Sequence, residues 1–232
     1  MGIVLECNNL TKKYGNKSAL KNINLQIPSG SIVGLLGPNG SGKTTLLKLA
    51  AGLLKPTEGE IICCGYKPGV ESKALVAYQP DRVYLNDWMN VEQLFKMMQD
   101  FYPNFNTAKA MDMLKRLNIE PDQRLKSMSK GTKEKVQLIL TMSREVNLYI
   151  LDEPIGGVDP AARDYILNTI INNYKEDATV VISTHLINDI EPVLNHIIFL
   201  KEGLVVRQGD VDNIREETGM SIDALFREEF KC

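Results

Sequence analysis

No apolar run in this 232-residue sequence approaches the roughly 20 residues that a membrane-spanning helix requires. A basic excess is missing as well. Lys+Arg 27 against Asp+Glu 29 leaves a formal charge of -2, which argues against coating a nucleic acid, because such binding rests on cationic charge. Cysteine is scarce: Cys7, Cys63, Cys64 and Cys232 include no CxxC spacing, and Cys63-Cys64 lies inside an apolar run. Small buried thiols in a reducing compartment are therefore expected, rather than a disulfide framework or a zinc site. The stretch Met1 to Leu10 lacks the basic-then-apolar layout of a secretory signal. The expectation is a cytoplasmic chain, to which another chain must supply any membrane part.

What is present is ordinary for a globular protein: 44% hydrophobic and 24% charged residues, enough for one core with an attached subdomain. The first thirty residues, with Ile3 to Leu5 and Leu20 to Ile27 closed by Pro28-Ser29-Gly30, predict a small antiparallel sheet. Ser31 to Leu36 is a short apolar run suited to a strand buried on both faces. It runs through a glycine-rich turn into a helix predicted over Lys43 to Leu54, with Leu46, Leu47, Ala50, Leu53 and Leu54 on one face. Leu148 to Leu151 and Thr179 to Ser183 are further buried strands. Between them Asp159 is the predicted N-cap of a helix with Pro160 in its first turn. Strand, helix, strand in this pattern predicts a doubly wound α/β sheet. Residues 81–142 carry no strand pattern but three amphipathic helices: one opening at Asn90 with Gln93 as capping partner, one from Thr107 to before Pro121, and one from about Ser129. A last amphipathic helix is predicted from Ser221.

Gly37-Pro38-Asn39-Gly40-Ser41-Gly42-Lys43-Thr44 fits G-x-x-x-x-G-K-[ST] in full, and it lies between a buried strand and an amphipathic helix. Glycines let the backbone wrap with its N–H groups inward, and the helix N-terminus adds positive potential. Lys43 is placed to reach the β- and γ-phosphates of a nucleotide, and Thr44 to ligate Mg²⁺. The strand Leu148 to Leu151 ends in Asp152-Glu153. Ligands of parallel sheets sit at such strand ends, so Asp152 is the expected metal-side carboxylate and Glu153 the candidate general base. His185, after the next strand, is placed to hydrogen-bond the γ-phosphate or the attacking water, whereas His196 lies in an apolar strand-like stretch and reads as structural. Gln79 ends the run Leu75 to Tyr78, from where its amide can reach Mg²⁺ or that water.

In their order, Gly37–Thr45, Gln79, Ser129–Lys133, Leu148–Glu153, Asp159 and His185 resemble the ABC ATPase family over nearly the whole chain. The resemblance implies a P-loop NTPase fold, α/β with a RecA-like mostly parallel sheet, a small N-terminal antiparallel β subdomain and an inserted α-helical subdomain. Residues 1–80 and 143–232 would form the nucleotide-binding core and 81–142 the helical part. It assigns ATP to Asn39, Gly40, Ser41, Gly42, Lys43, Thr44 and Thr45, with Tyr14 stacked on adenine. Mg²⁺ falls to Thr44, Gln79 and Asp152. Turnover falls to Glu153, His185, Gln79 and Lys43. Ser129, Gly131 and Asp159 would serve the ATP of an opposing chain.

The match departs at Met128-Ser129-Lys130-Gly131-Thr132, where the family usually reads Leu-Ser-Gly-Gly-Gln, and at Ile155 to Val158 after Pro154. The family further implies two cassettes closing head-to-tail, a separate transmembrane permease contacted near Gln79, Trp88 and Met89, a place on the cytoplasmic face of the membrane, and export as the direction. A soluble ABC ATPase without a permease, such as a cluster-assembly ATPase, is the alternative. A GTPase is disfavoured, because no N-K-x-D run exists.

Overall fold

A computed structural model of the chain describes residues 2–158, 160–175 and 177–231. Among the described residues, nine strands run in chain order as β1 (Ile3–Tyr14), β2 (Lys17–Pro28), β3 (Ile32–Leu36), β4 (Glu58–Cys63), β5 (Val76–Gln79), β6 (Leu148–Asp152), β7 (Thr179–Thr184), β8 (His196–Lys201) and β9 (Leu204–Asp210). The helices are α1 (Lys43–Ala50), α2 (Val70–Leu75), α3 (Val91–Phe101), α4 (Thr107–Arg116), α5 (Lys130–Met142), α6 (Pro160–Asn173), α7 (Ile187–Ile190), α8 (Val211–Thr218) and α9 (Ile222–Glu229).

The main sheet has the order β5-β6-β7-β3-β8-β9. Its neighbours are parallel as far as β8, and β9 closes it as an antiparallel edge. Every residue of β3, β6 and β7 is buried, which is why these strands read as continuous apolar runs instead of alternating ones. One face of the sheet packs Val33, Leu35, Ile150 and Val181 against Leu46, Leu47 and Leu49 of α1 and against the small sheet. The other packs Leu36, Leu151, Ile182 and Phe199 against α5, α6 and the C-terminal helices. The small sheet is antiparallel, in the order β2-β1-β4. The predicted hairpin is thus joined by a third strand, β4, that carries no strong pattern in the sequence.

The helical stretch is as expected in its openings. Asn90 and Gln93 form a capping box at α3, and Ser129 caps α5 by accepting the Thr132 amide. It differs in where helices stop. α1 ends at Ala50, because Gly52 turns left-handed at φ +68° and closes the helix; Leu53 is then 56% exposed and off the predicted stripe. α4, by contrast, ends before Pro121 as expected, at Arg116, with Asn118 in a left-handed turn. α2 and α8 carry too few apolar residues to announce themselves; α8 buries Val211 and Ile214. Cys7 and Cys63 are buried free thiols on adjacent strands; burial pushes the Cys63 thiol up to about 12, far from reactive thiolate. Half-buried His196 in β8 is held below the ordinary histidine range by burial, in keeping with its structural reading.

Candidate functional site

β3 delivers the chain into residues 37–42, and the local geometry there requires glycine. Gly42 caps α1 at φ +114°, and a Cβ on it would stand 2.7 Å from the Ala19 carbonyl oxygen; at Gly37 the clash with the Leu200 carbonyl oxygen would be 2.3 Å. Gly42 offers no side chain to the first turn of α1, so the amides of that turn stay open to an anion. Lys43 is 5% exposed. Its Nζ donates to the Gly37 carbonyl at 2.7 Å and the Pro38 carbonyl at 3.3 Å, and lies 3.4 Å from Glu153 Oε1. The ammonium is therefore folded back over its own loop.

The loop opens on a cleft of about 870 Å³, within the range of small-molecule sites. Tyr14, Asn39, Gly40, Gly42, Lys43, Thr44, Thr45 and Glu153 all line it. Tyr14 ends β1 and is 48% exposed, with the Lys12 ammonium 5.4 Å from its ring centroid. Ser41 instead points inward, 3% exposed, with no partner for its Oγ.

β6 ends in Asp152, fully buried. Its Oδ1 accepts from Thr44 Oγ1 at 3.1 Å and from Ser183 Oγ at 2.6 Å, while Oδ2 has no partner. Burial pushes the Asp152 carboxyl above the usual carboxylate range, and the Ser183 and Thr44 hydrogen bonds work against that rise. A hydroxyl and a buried, half-satisfied carboxylate form the oxygen donor set that a hard divalent cation takes. The residues present thus fit Mg²⁺.

Glu153 follows in a left-handed conformation, φ +48°, a costly state for a non-glycine residue and one that marks functional turns. The turn is held by its amide, which donates to the Ser183 carbonyl at 3.1 Å and to Ser183 Oγ at 3.0 Å. The carboxylate lies between two groups, with Oε1 facing Lys43 and Oε2 lying 3.1 Å from His185 Nδ1. Lys43, Thr44, Asp152, Glu153 and His185 are thereby one connected assembly.

Other sequence-predicted residues lie apart from it. Gln79 is 5% exposed, does not line the cleft and leaves its Oε1 unpaired. Ser129 and Gly131 sit at the exposed N-terminus of α5, also outside the cleft lining. Lys130 is 82% exposed on its side chain and leans to Glu134 at 3.7 Å. Asp159 lies outside the described residues. Sequence reasoning missed Ser183, which holds both Asp152 and the Glu153 amide, and the cleft-lining Asp81, Lys17, Lys21 and Glu202. For Ser183 a signal existed: a hydroxyl at the carboxyl end of a fully buried parallel strand.

The family model described as ABC transporter matches residues 20–156. This chain belongs to the ABC transporter family. A curated relative, the ABC transporter ATP-binding protein YtrB of Bacillus subtilis, is 31% identical over 217 residues, covering 92% of this chain and 74% of its own. The SkfA peptide export ATP-binding protein SkfE of Bacillus subtilis is 29% identical, with 92% of each chain covered. Among solved structures, a dimeric ATP-binding cassette in a post-hydrolysis state with ADP and Pi bound superimposes with a TM-score of 0.77 at 26% identity, over 89% of this chain and 98% of its own. This ABC protein is an ATP-binding subunit and an ATPase. No helix among the described residues of the ABC subunit is long and apolar enough to cross a membrane.

Proposed function

We propose that this ABC ATPase drives export through a separate membrane permease, by closing head-to-tail on a second ATPase chain over two MgATP. The observation that carries this reading is the incompleteness of the cleft. The Lys43 loop and Glu153 line one pocket, with buried Asp152 bonded to Thr44 behind it, but the exposed N-terminus of α5 with Ser129 and Gly131 does not line it. A helix N-terminus attracts phosphate, and a second copy brings one to the open side. Export is supported by the likeness to a peptide-export ATP-binding protein.

Within the closed site each residue has a task that its geometry supports. Lys43 swings from its carbonyls onto the phosphates. Tyr14 stacks on the adenine. Thr44 and Asp152 would hold Mg²⁺, which when bound would neutralise phosphate charge. Glu153 accepts a proton from the attacking water, and His185 fixes the carboxylate that does so. Positioning and charge stabilisation account for most of phosphoryl transfer.

A permease would dock on the groove of about 620 Å³ between the sheet edge and the helical segment, lined by Leu53, Tyr84, Met97, Phe101 and Tyr102. Trp88 is 71% exposed and available to such a partner, whereas Met89 is buried in the core of the helical segment. The membrane then holds the subunit peripherally.

The deciding experiment compares wild type with Glu153→Gln. The variant should bind ATP, sediment as a dimer when ATP is added and lose steady-state hydrolysis by roughly 10²–10⁴. Wild-type turnover in the variant, or a sedimentation coefficient unmoved by saturating ATP, would sink the reading.

A further inference from the structure

We infer that Glu202, in the turn between β8 and β9, accepts hydrogen bonds from the ribose hydroxyls of the bound nucleotide and makes the site prefer ATP to its deoxy forms. The inference rests on the reading above, with adenine at Tyr14 and phosphates at Lys43, and adds a contact that it does not contain.

β8 runs parallel to β3, with Leu35 opposite Ile198 and Leu36 opposite Phe199. Its carboxyl end therefore arrives at the same sheet edge as the phosphate loop, where ligands of parallel sheets sit. There Lys201 pairs with Leu204 across the two residues Glu202 and Gly203. Their φ values of +49° and +79° are those of a type I′ hairpin turn. Asn, Asp or Gly fills the first position of such a turn at least cost. Here a glutamate, with a longer reach, holds it.

The turn is pinned to the cleft wall. The Gly203 amide donates to the Ser41 carbonyl at 2.9 Å, and the Lys21 amide donates to the Gly203 carbonyl at 2.8 Å. A Cβ on Gly203 would stand 2.6 Å from the Ala19 carbonyl oxygen, the same atom that a Cβ on Gly42 would meet. At the far end of the wall Tyr14 pairs with Lys17. The wall thus runs from Tyr14 through Lys17, Ala19 and Gly42 to Lys43, and the turn meets it at Ala19, in the middle. A nucleotide's covalent order is base, ribose, phosphates. With its base at Tyr14 and its phosphates at Lys43, the sugar lies at the level of Ala19.

Glu202 is exposed and lines this cleft. Among the described residues its carboxylate forms no hydrogen bond or ion pair, although Lys17 and Lys21 line the same cleft. A carboxylate has two acceptor oxygens and no donor, which suits two neighbouring hydroxyls; an acidic side chain takes ribose in this way in dinucleotide sites. Phosphates it repels. The sugar hydroxyls are the donors of ATP nearest the middle of the wall, and each one removed strips a charge-assisted hydrogen bond.

The test measures dissociation constants of ATP, 2′-deoxyATP and 3′-deoxyATP in excess Mg²⁺ by titration calorimetry, for wild type, Glu202→Ala and Glu202→Gln. Wild type should bind ATP about fivefold more tightly than either deoxynucleotide, since a carboxylate in contact with water discriminates less than a buried one. In Glu202→Ala the three should bind alike. Glu202→Gln, which keeps one acceptor on the same stem, should retain a preference of about twofold. Wild type that binds the three alike would overturn the assignment while leaving the ATP site intact. So would Glu202→Ala that tightens all three equally and keeps the wild-type preference, which marks a charge that only repels phosphate. Wild type that binds none of the three would remove the underlying site as well.

Discussion

Ser183 gives its hydroxyl hydrogen to Asp152 Oδ1 at 2.6 Å, and the same oxygen accepts the amide of Glu153 at 3.0 Å. One side chain on β7 therefore fixes both acids at the end of β6, the first by orienting its carboxylate and the second by holding its left-handed backbone. Ser183→Ala leaves the Glu153 amide bonded to the Ser183 carbonyl but leaves Asp152 held by Thr44 alone. Losing a hydrogen bond to a charged group costs about 1.5–3 kcal/mol, so kcat should fall by roughly tenfold or more. The midpoint of thermal unfolding should move little, since the void is a single hydroxyl. Unchanged kcat measured at saturating MgATP would show that the acids are oriented without Ser183.

Lys43 holds two carbonyls of its own loop and faces Glu153 at 3.4 Å. These contacts keep a nearly buried ammonium satisfied, and ATP must exchange them for phosphate oxygens. Lys43→Ala removes that exchange. At about 1.5–3 kcal/mol for each charge-assisted bond, MgATP affinity should drop by at least tenfold. Titration of a fluorescent ATP analogue checks this; an affinity equal to wild type would mean that the loop amides alone carry the phosphates.

How far all this could be read from the amino-acid order depends on which rule governs each residue. The phosphate loop was legible because its glycines answer to local clashes, such as that at Gly37 with Leu200, and its neighbours are strands buried on both faces. Asp152 and Glu153 were legible as the end of such a strand. Around Gln79 the strand-end rule was less informative, because Gln79 is buried and does not line the cleft, whereas Asp81, two residues further on, does. Leu53 and Leu54 kept the helical period of α1 but follow the left-handed Gly52, and a backbone sign change leaves no trace in periodicity. Gln137 and Arg144 were not legible at all. Each acts on backbone groups more than fifty residues away, which no window of sequence contains.

Arg144 is 4% exposed and binds the Val76 carbonyl at 2.7 Å, the Lys73 carbonyl at 2.9 Å and the Ala74 carbonyl at 3.2 Å. Its guanidinium also stacks 3.9 Å from the centroid of Tyr102. Burial holds it below the ordinary arginine range. The planar fork ties the start of β5 to the helical segment, and lysine offers neither the fork nor the stacking plane. Arg144→Lys should destabilise the protein by about 2–4 kcal/mol, and partial unfolding should start in α3 and α4. Urea denaturation with hydrogen exchange resolved by segment tests this; stability within 0.5 kcal/mol of wild type, roughly the spread of ordinary surface substitutions, would refute it.

Glu191 anchors the C-terminal helices through one carboxylate. Its Oε1 accepts from Arg215 of α8 and from the Ile222 amide, both at 2.8 Å, and its Oε2 accepts the Asp223 amide at 3.1 Å. Burial alone would raise this carboxyl, but the hydrogen bonds from Arg215, Ile222 and Asp223 outweigh it and hold it below the usual range. A carboxylate with a depressed folded value binds fewer protons folded than unfolded. Its contribution is therefore complete above the unfolded value, roughly 4.3 for glutamate, and is lost as pH falls through the lower folded value. Glu191→Gln keeps the shape but removes the charge and one acceptor, and should cost about 1.5–3 kcal/mol at pH 7. The gap between wild type and variant should close as pH is lowered through the acid range, because wild type then loses what the variant never had. Urea midpoints measured across that range carry the answer: a gap that stays constant with pH would mean the carboxylate's charge plays no part in holding α8 and α9.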